Sequence, residues 1–239
     1  MRLVEAVDAS GVVCAVGAGG KKTLLYALAG RLDRAVVTAT VRIPIFDEEV
    51  ADVVVTDDPA GAVRDARAWP VGVVPERERE DRYRGYEPER IADLAAADAD
   101  AVLVKADGAR TRRLKAPGDH EPRIPDCADV VVPIASVRAV GEPLTAAVAH
   151  RPERVAAVTG REVGDEIRAA DVATVLAHPD GGLKDVPDGA TVVPLVNMAD
   201  DAALVDTATE IAAGVHERAD VDRVVVASLK ADDPVKAVV

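Results

Sequence analysis

Short runs of valine and alanine recur along the chain, apolar at nearly every position: residues 11–16, 35–39, 52–56, 71–74, 101–105, 129–134, 191–196 and 223–227. Continuous apolarity over so few residues suits a strand buried on both faces, the environment of a parallel sheet. Stretches of helical composition lie between several of these runs, at 21–32, 88–97, 164–176 and 201–218. The repeated strand–helix pattern predicts an α/β fold, a mostly parallel sheet with helices on both faces. No repeat, low-complexity tract or Gly/Ser linker divides it, so one domain over 1–239 is expected. Residues 75–88 stand apart, dense in charge and without an apolar stripe. They read as an exposed excursion or lid, or as a plain solvated loop.

The first predicted strand runs into Gly17-Ala18-Gly19-Gly20-Lys21-Lys22-Thr23. A strand, a Gly-rich turn and then Lys and Thr opening a helix is the arrangement of a phosphate-binding P-loop. Glycines let backbone amides converge on phosphate oxygens, the helix N-terminus adds a positive dipole end, and Lys21 would reach the β- and γ-phosphates. The pattern G-x-x-x-x-G-K-S/T is met imperfectly. Ala15 stands at the first Gly, and Lys22 stands where a hydroxyl normally meets Mg²⁺. Thr23 is one residue late, about 100° further round the helix. The other reading is a Gly-rich turn that merely packs closely.

The run 101–105 leads to Asp107, an apolar strand followed by a carboxylate that could hold Mg²⁺. With the glycine loop upstream, this makes the expected fold P-loop NTPase-like and Asp107 and Thr23 the candidate metal ligands. Further on, 191–196 leads into Asn197-Met198-Ala199-Asp200, and the next strand into Ser228-Leu229-Lys230. P-loop GTPases read guanine with an N-K-x-D motif and a short following loop at this spacing; here Met198 replaces the Lys. Asn197, Asp200 and Ser228 are therefore candidate base contacts that would favour GTP over ATP. The alternative for Asn197 and Asp200 is helix capping.

The segment 105–125 gathers Lys105, Arg110, Arg112, Arg113, Lys115 and Arg123, with prolines at 117, 122 and 125 that stiffen it. Such a cluster concentrates potential for an anionic ligand. Arg110 or Lys115 would stabilise charge developing on a transferred phosphoryl group, with His120 moving a proton. Local charge pairing on a surface loop is the plainer reading.

The loop Gly17-Ala18-Gly19-Gly20-Lys21-Lys22-Thr23 together with Ala106-Asp107-Gly108-Ala109-Arg110, Leu114-Lys115-Ala116-Pro117 and His120-Glu121-Pro122 resembles the YqeC family. That family is associated with selenium cofactor biosynthesis and accessory roles for selenium-dependent molybdenum hydroxylases. Thr38-Ala39-Thr40, Gly85-Tyr86, Pro88-Glu89, Ala139-Val140-Gly141-Glu142-Pro143-Leu144 and His150-Arg151-Pro152-Glu153 extend the resemblance over nearly the whole chain. It departs at Lys22, where the family commonly has Thr, and at Lys105, where it has Glu. The resemblance implies a maturation role. With the loop 17–23, Asp107 and the segments at 197–200 and 228–230, the expected function is a nucleotide-binding maturation factor, using GTP or ATP with Mg²⁺, with weak or partner-dependent hydrolysis. Its partners would be a purine nucleotide, an anionic small molecule or cofactor fragment, and a molybdenum hydroxylase. Rival readings are a non-catalytic carrier for an anionic cofactor and a P-loop small-molecule kinase.

Composition narrows these classes. The chain has 42 Asp and Glu against 29 Lys and Arg, a formal charge of -13, and only seven lysines: Lys21, Lys22, Lys105, Lys115, Lys184, Lys230 and Lys236. A general nucleic-acid surface needs a basic face, so nucleic acid is not an expected partner. The acidic, Lys-poor composition is that of a protein from a salt-rich cytoplasm, or of one encoded by a GC-rich genome. No apolar run reaches the roughly 20 residues of a membrane span, and Met1-Arg2-Leu3-Val4-Glu5 does not open a secretory signal. A soluble cytoplasmic protein is expected. Cys14 and Cys127 form no metal-binding spacing. Four of the seven lysines fall in the two segments singled out for anion binding.

Overall fold

A computed structural model describes residues 1–239. Its main sheet has ten strands, and along most of it the order is 235–238, 225–227, 195–197, 130–136, 11–17, 101–105, 35–39, 71–74, 52–55. Every neighbouring pair is parallel except the edge, where Val235–Val238 runs antiparallel to Val225–Ala227. The fold is thus α/β with a mixed, mostly parallel sheet.

Alternation along the strand Gly11–Gly17 divides the core. Val13 and Ala15 face the cluster containing Leu24, Leu25 and Leu28 of the helix Lys21–Ala29. Val12, Cys14 and Val16 face the opposite side, where the helices Pro59–Asp65 and Ile91–Ala95 supply Val63, Ile91 and Leu94. The helices Ala169–Ala177 and Ala202–His216 cover the sheet further along, through Val172, Leu176, Ile211 and Val215. Burying each such Leu, Val or Ile contributes about 1.5–3 kcal/mol before chain entropy is subtracted.

Several predicted boundaries shift for local reasons. The run 191–196 is two short strands, Thr191–Val192 and Leu195–Asn197, interrupted before Pro194, which has no N–H for a ladder. The helix predicted over 21–32 stops at Ala29, before Gly30. That predicted over 164–176 begins only at Ala169, because Asp171 accepts the Arg168 amide at 2.8 Å and fixes the start there. The first turn of the stretch 88–97 is a 3-10 turn, Pro88–Arg90, ahead of the helix Ile91–Ala95.

Within 75–88 the strands Glu76–Arg79 and Arg82–Arg84 form a hairpin that joins Ile43–Pro44 in a separate antiparallel sheet. Two buried tyrosines anchor it. Tyr83 packs edge-on against Phe46 with ring centroids 5.5 Å apart, and its hydroxyl donates to Asp47 at 2.9 Å. Tyr86 donates to the Thr56 carbonyl at 2.6 Å. The charged side chains on either side of them are what made the segment look like solvated loop.

Candidate functional site

The order of strands reverses at Gly11–Gly17. One neighbour, Ala101–Lys105, leads toward earlier strands of the chain and the other, Val130–Ser136, toward later ones. Open α/β sheets take ligands in the crevice beyond the carboxyl ends of strands at such a point. The residues found there are Gly17 to Thr23.

Gly17, Gly19 and Gly20 have φ of 87°, 92° and 146°, a region that favours residues without a Cβ. A Cβ on Gly19 would lie 2.6 Å from the Ser136 nitrogen, and one on Gly20 would collide with the Asn197 amide. The loop is thereby pressed against two neighbouring strands. Ala18 donates its amide to the Ile134 carbonyl at 2.8 Å, but the amides of Gly19, Gly20, Lys21, Lys22 and Thr23 donate to no acceptor in the chain. Lys22 and Thr23 are half-buried on the first turn of the helix.

Lys21 is buried and turns back over the loop. Its ammonium group donates to the Gly17 carbonyl and lies 2.8 Å from Asp107 Oδ1. That contact is a charge pairing outside hydrogen-bond geometry, leaving Oδ1 buried without a donor of good alignment. Asp107 Oδ2 accepts from the Gly17 amide and from Lys115 Nζ, each at 2.8 Å. Strand register produces this meeting. Ala15 pairs with Lys105, and two residues on, Asp107 stands level with Gly17.

Lys115 extends the cluster. The two-residue strand Leu114–Lys115 pairs with Ala149–His150. Lys115 Nζ donates to the Gly108 carbonyl at 2.6 Å and to Glu121 Oε2 at 2.8 Å. Arg151 donates to the same Glu121 oxygen at 2.8 Å, and Lys184 to the Glu121 carbonyl at 2.8 Å. Burial pushes the Glu121 carboxyl up, but the hydrogen bonds from Lys115 and Arg151 outweigh it and hold the group at about 2.

Lys105 shares the Lys21 side of the sheet and donates to the Arg42 carbonyl at 2.8 Å. Burial, reinforced by the charge of Lys21, pulls its ammonium group down to about 7. Burial likewise depresses Lys21, with Asp107 opposing it. Lys21, Lys115 and Arg151 thus contact Asp107 and Glu121, with Lys105 near enough to feel both carboxylates. The balance is positive in a chain of net charge -13.

On the other flank of the loop, Asn197 is buried at the end of Leu195–Asn197. Its Nδ2 donates to the Gly19 carbonyl at 2.7 Å, and its Oδ1 accepts the Leu229 amide at 3.1 Å. Ser228 Oγ donates to Asp200 Oδ1 at 2.5 Å, and Arg138 pairs with Asp200 Oδ2 at 2.9 Å. Met198, with φ of 67°, places its sulfur 3.0 Å from Ser136 Oγ.

Lys21, Asp107 and Lys115 therefore meet on one side of the loop, and Asn197, Asp200 and Ser228 on the other. Arg110 and His120 are exposed and join neither group. Arg110 is in the left-handed region at φ 46°, and His120 lines a groove with Asp119, Arg123 and Cys127. Glu121, Arg151, Arg138 and Lys184 were not singled out from sequence. The string His120-Glu121-Pro122 carries a signal for Glu121, next to an imidazole whose proton chemistry is the more conspicuous.

The family model described as YqeC protein matches residues 13–153. The Escherichia coli (strain K12) protein named "Uncharacterized protein YqeC" is 30% identical over 193 residues, covering 78% of this chain and 75% of that protein. The matched region holds the glycine loop, Asp107, Lys115, Glu121 and Arg151, and this chain belongs to the YqeC family.

Proposed function

We propose that this chain binds a purine nucleoside triphosphate with its phosphates on residues 17–23, and serves as an accessory factor in the maturation of molybdenum hydroxylases. The observation that carries the phosphate reading is the run of unpaired amides from Gly19 to Thr23, opening the helix beside buried Lys21. Unsatisfied amides at a helix start, together with the dipole, form a site for an anion. The P-loop-like placement of that turn at the reversal of strand order supports the same reading. Membership of the YqeC family supports the maturation role, with selenium-dependent hydroxylases as the class of partner.

A resident Mg²⁺ does not fit the residues present. The two expected ligands were Asp107 and Thr23. Asp107 faces Lys21 with one oxygen and accepts from Lys115 and Gly17 with the other. Lys22 stands at the hydroxyl position, and the Thr23 hydroxyl makes no hydrogen bond. Ammonium groups here occupy the ground a divalent cation would need. Phosphate charge is met instead by the loop amides and by Lys21.

That misfit favours a second reading, a carrier for an anionic cofactor fragment that binds without turnover. Phosphate release measured with the partner hydroxylase present separates the two.

Thermal denaturation with GTP, ATP and inorganic phosphate, each with and without Mg²⁺, tests the phosphate site. A ligand that binds only the folded chain raises the midpoint. A triphosphate is expected to raise it for the native chain and not for Lys21→Ala. No shift with either nucleotide overturns the reading.

A further inference from the structure

The segments Asn197–Asp200 and 228–230 converge beside the phosphate loop, and Asp200 is not the cap of the helix that follows it. The helix Ala202–His216 is capped by the next residue: Asp201 Oδ1 accepts the Leu204 amide at 2.9 Å. Capping, the plain alternative for a carboxylate before this helix, therefore belongs to Asp201 and not to Asp200.

Asp200 is instead aimed by its neighbours. Asn197 ties the segment to the phosphate loop through Gly19 and to the 228–230 loop through Leu229. Ser228, also buried, orients the Asp200 carboxylate from one side, and Arg138 holds it from the other. The carboxylate itself stays about two-fifths exposed. Oδ1 accepts only from Ser228 and keeps a lone pair, while Oδ2 accepts from Arg138 Nη2 at 2.9 Å and from Arg138 Nε at a longer 3.3 Å, the contact a second donor would displace.

We infer that Asp200 reads the base of the nucleotide and selects guanine over adenine. This rests on the phosphate reading above. Guanine presents two adjacent donors, N1–H and the 2-amino group, which match the two oxygens of one carboxylate. Adenine presents an acceptor at N1 that the carboxylate repels. Sites built to receive a donor reject analogues lacking it far more strongly than apolar pockets reject a change of size. The Met198 sulfur lies 3.0 Å from Ser136 Oγ, and its polarizable thioether can cover a ring face without carrying charge.

Competition against a fluorescent GTP analogue tests the assignment on the full chain. GTP is expected to displace it at concentrations about 100-fold lower than ATP, and ITP, lacking the 2-amino group, at an intermediate one. Asp200→Asn is expected to weaken GTP and to improve XTP, because the carboxamide can accept from xanthine N1–H and donate to its 2-oxygen. Arg138→Ala removes the ion pair without touching the base and is expected to keep the preference for GTP. Equal displacement by GTP and ATP, or equal losses of both in Asp200→Asn, overturns guanine selection while leaving the phosphate site standing. If neither nucleotide displaces the analogue, and the analogue itself does not bind, the phosphate reading falls with it.

Discussion

Lys21 Nζ stands 2.8 Å from Asp107 Oδ1 with both side chains buried, so the ammonium group nearest the loop amides is already paired within the chain. A phosphate at the loop competes with Asp107 for that group. Stability and affinity are therefore set against each other at one carboxylate.

Asp107→Asn separates the two effects. It removes the charge that balances Lys21 and Lys115, and breaking a buried ion pair on one side costs about 3–5 kcal/mol. Urea denaturation is expected to show that loss. Titration calorimetry of the same variant, under conditions where it is folded, is expected to show tighter triphosphate binding. A variant both as stable as the native chain and unchanged in affinity would contradict the competition.

Asn197→Ala tests the brace between the loops. Asn197 satisfies the Gly19 carbonyl and the Leu229 amide, which are 32 residues or more from it in sequence. Leaving a buried polar group unsatisfied costs about 1–3 kcal/mol. The midpoint of chemical denaturation is expected to fall accordingly. Triphosphate affinity is expected to fall as well, since the geometry of Gly19 and Gly20 depends on this side chain.

Lys105 makes stability depend on pH in the alkaline range. Its ammonium group sits at about 7 in the folded chain, against 10.5 as its ordinary value, because burial disfavours the charge. The cost of burying the charge is present in full below pH 7 and is relieved as pH rises toward 10.5. Stability is thus expected to rise over that interval from this group. Lys105→Met is expected to flatten the rise and to be more stable than the native chain near pH 6. Denaturation midpoints between pH 6 and pH 10 supply the comparison.

Glu121 acts at the acid end. Its carboxyl lies at about 2 when folded, against 4.5 ordinarily. Its contribution is present above pH 4.5 and is lost as pH falls toward 2. Glu121→Gln is expected to be less stable at neutral pH and to lose less than the native chain between pH 4.5 and pH 2. Equal acid profiles would mean that Lys115 and Arg151 do not hold the carboxylate charged.

The central strands were legible because burial on both faces leaves an uninterrupted apolar run, as in 35–39, 71–74 and 101–105. The strand Val235–Val238 was not, since an antiparallel edge needs only half its side chains covered and Lys236 points outward, exposed. The helix Pro59–Asp65 carried a readable start, with Asp58 accepting the Gly61 amide and Pro59 at its first position, but is too short to show a period. The hairpin at 76–84 hid for a different reason: Tyr83 is the buried side chain of its two strands, and Tyr86 follows just beyond them.

For the site, the glycine loop was legible because only glycines meet its backbone angles. The meeting of Asp107 with Lys115 was not. Pairing of Leu114–Lys115 with Ala149–His150 folds the cationic segment back, and that contact spans distant parts of the chain. Side-chain type favoured Arg110 and His120, which face solvent, over Glu121 and Arg151, which close the cluster.

The central claim is that the amides of residues 19–23 receive phosphate. Backbone ¹H–¹⁵N spectra recorded during a titration with GTP test it most directly. The account predicts saturable shifts concentrated on Gly19, Gly20, Lys21, Lys22 and Thr23, abolished in Lys21→Ala. Saturable shifts elsewhere with these five amides unmoved, or no shifts at all, would contradict it.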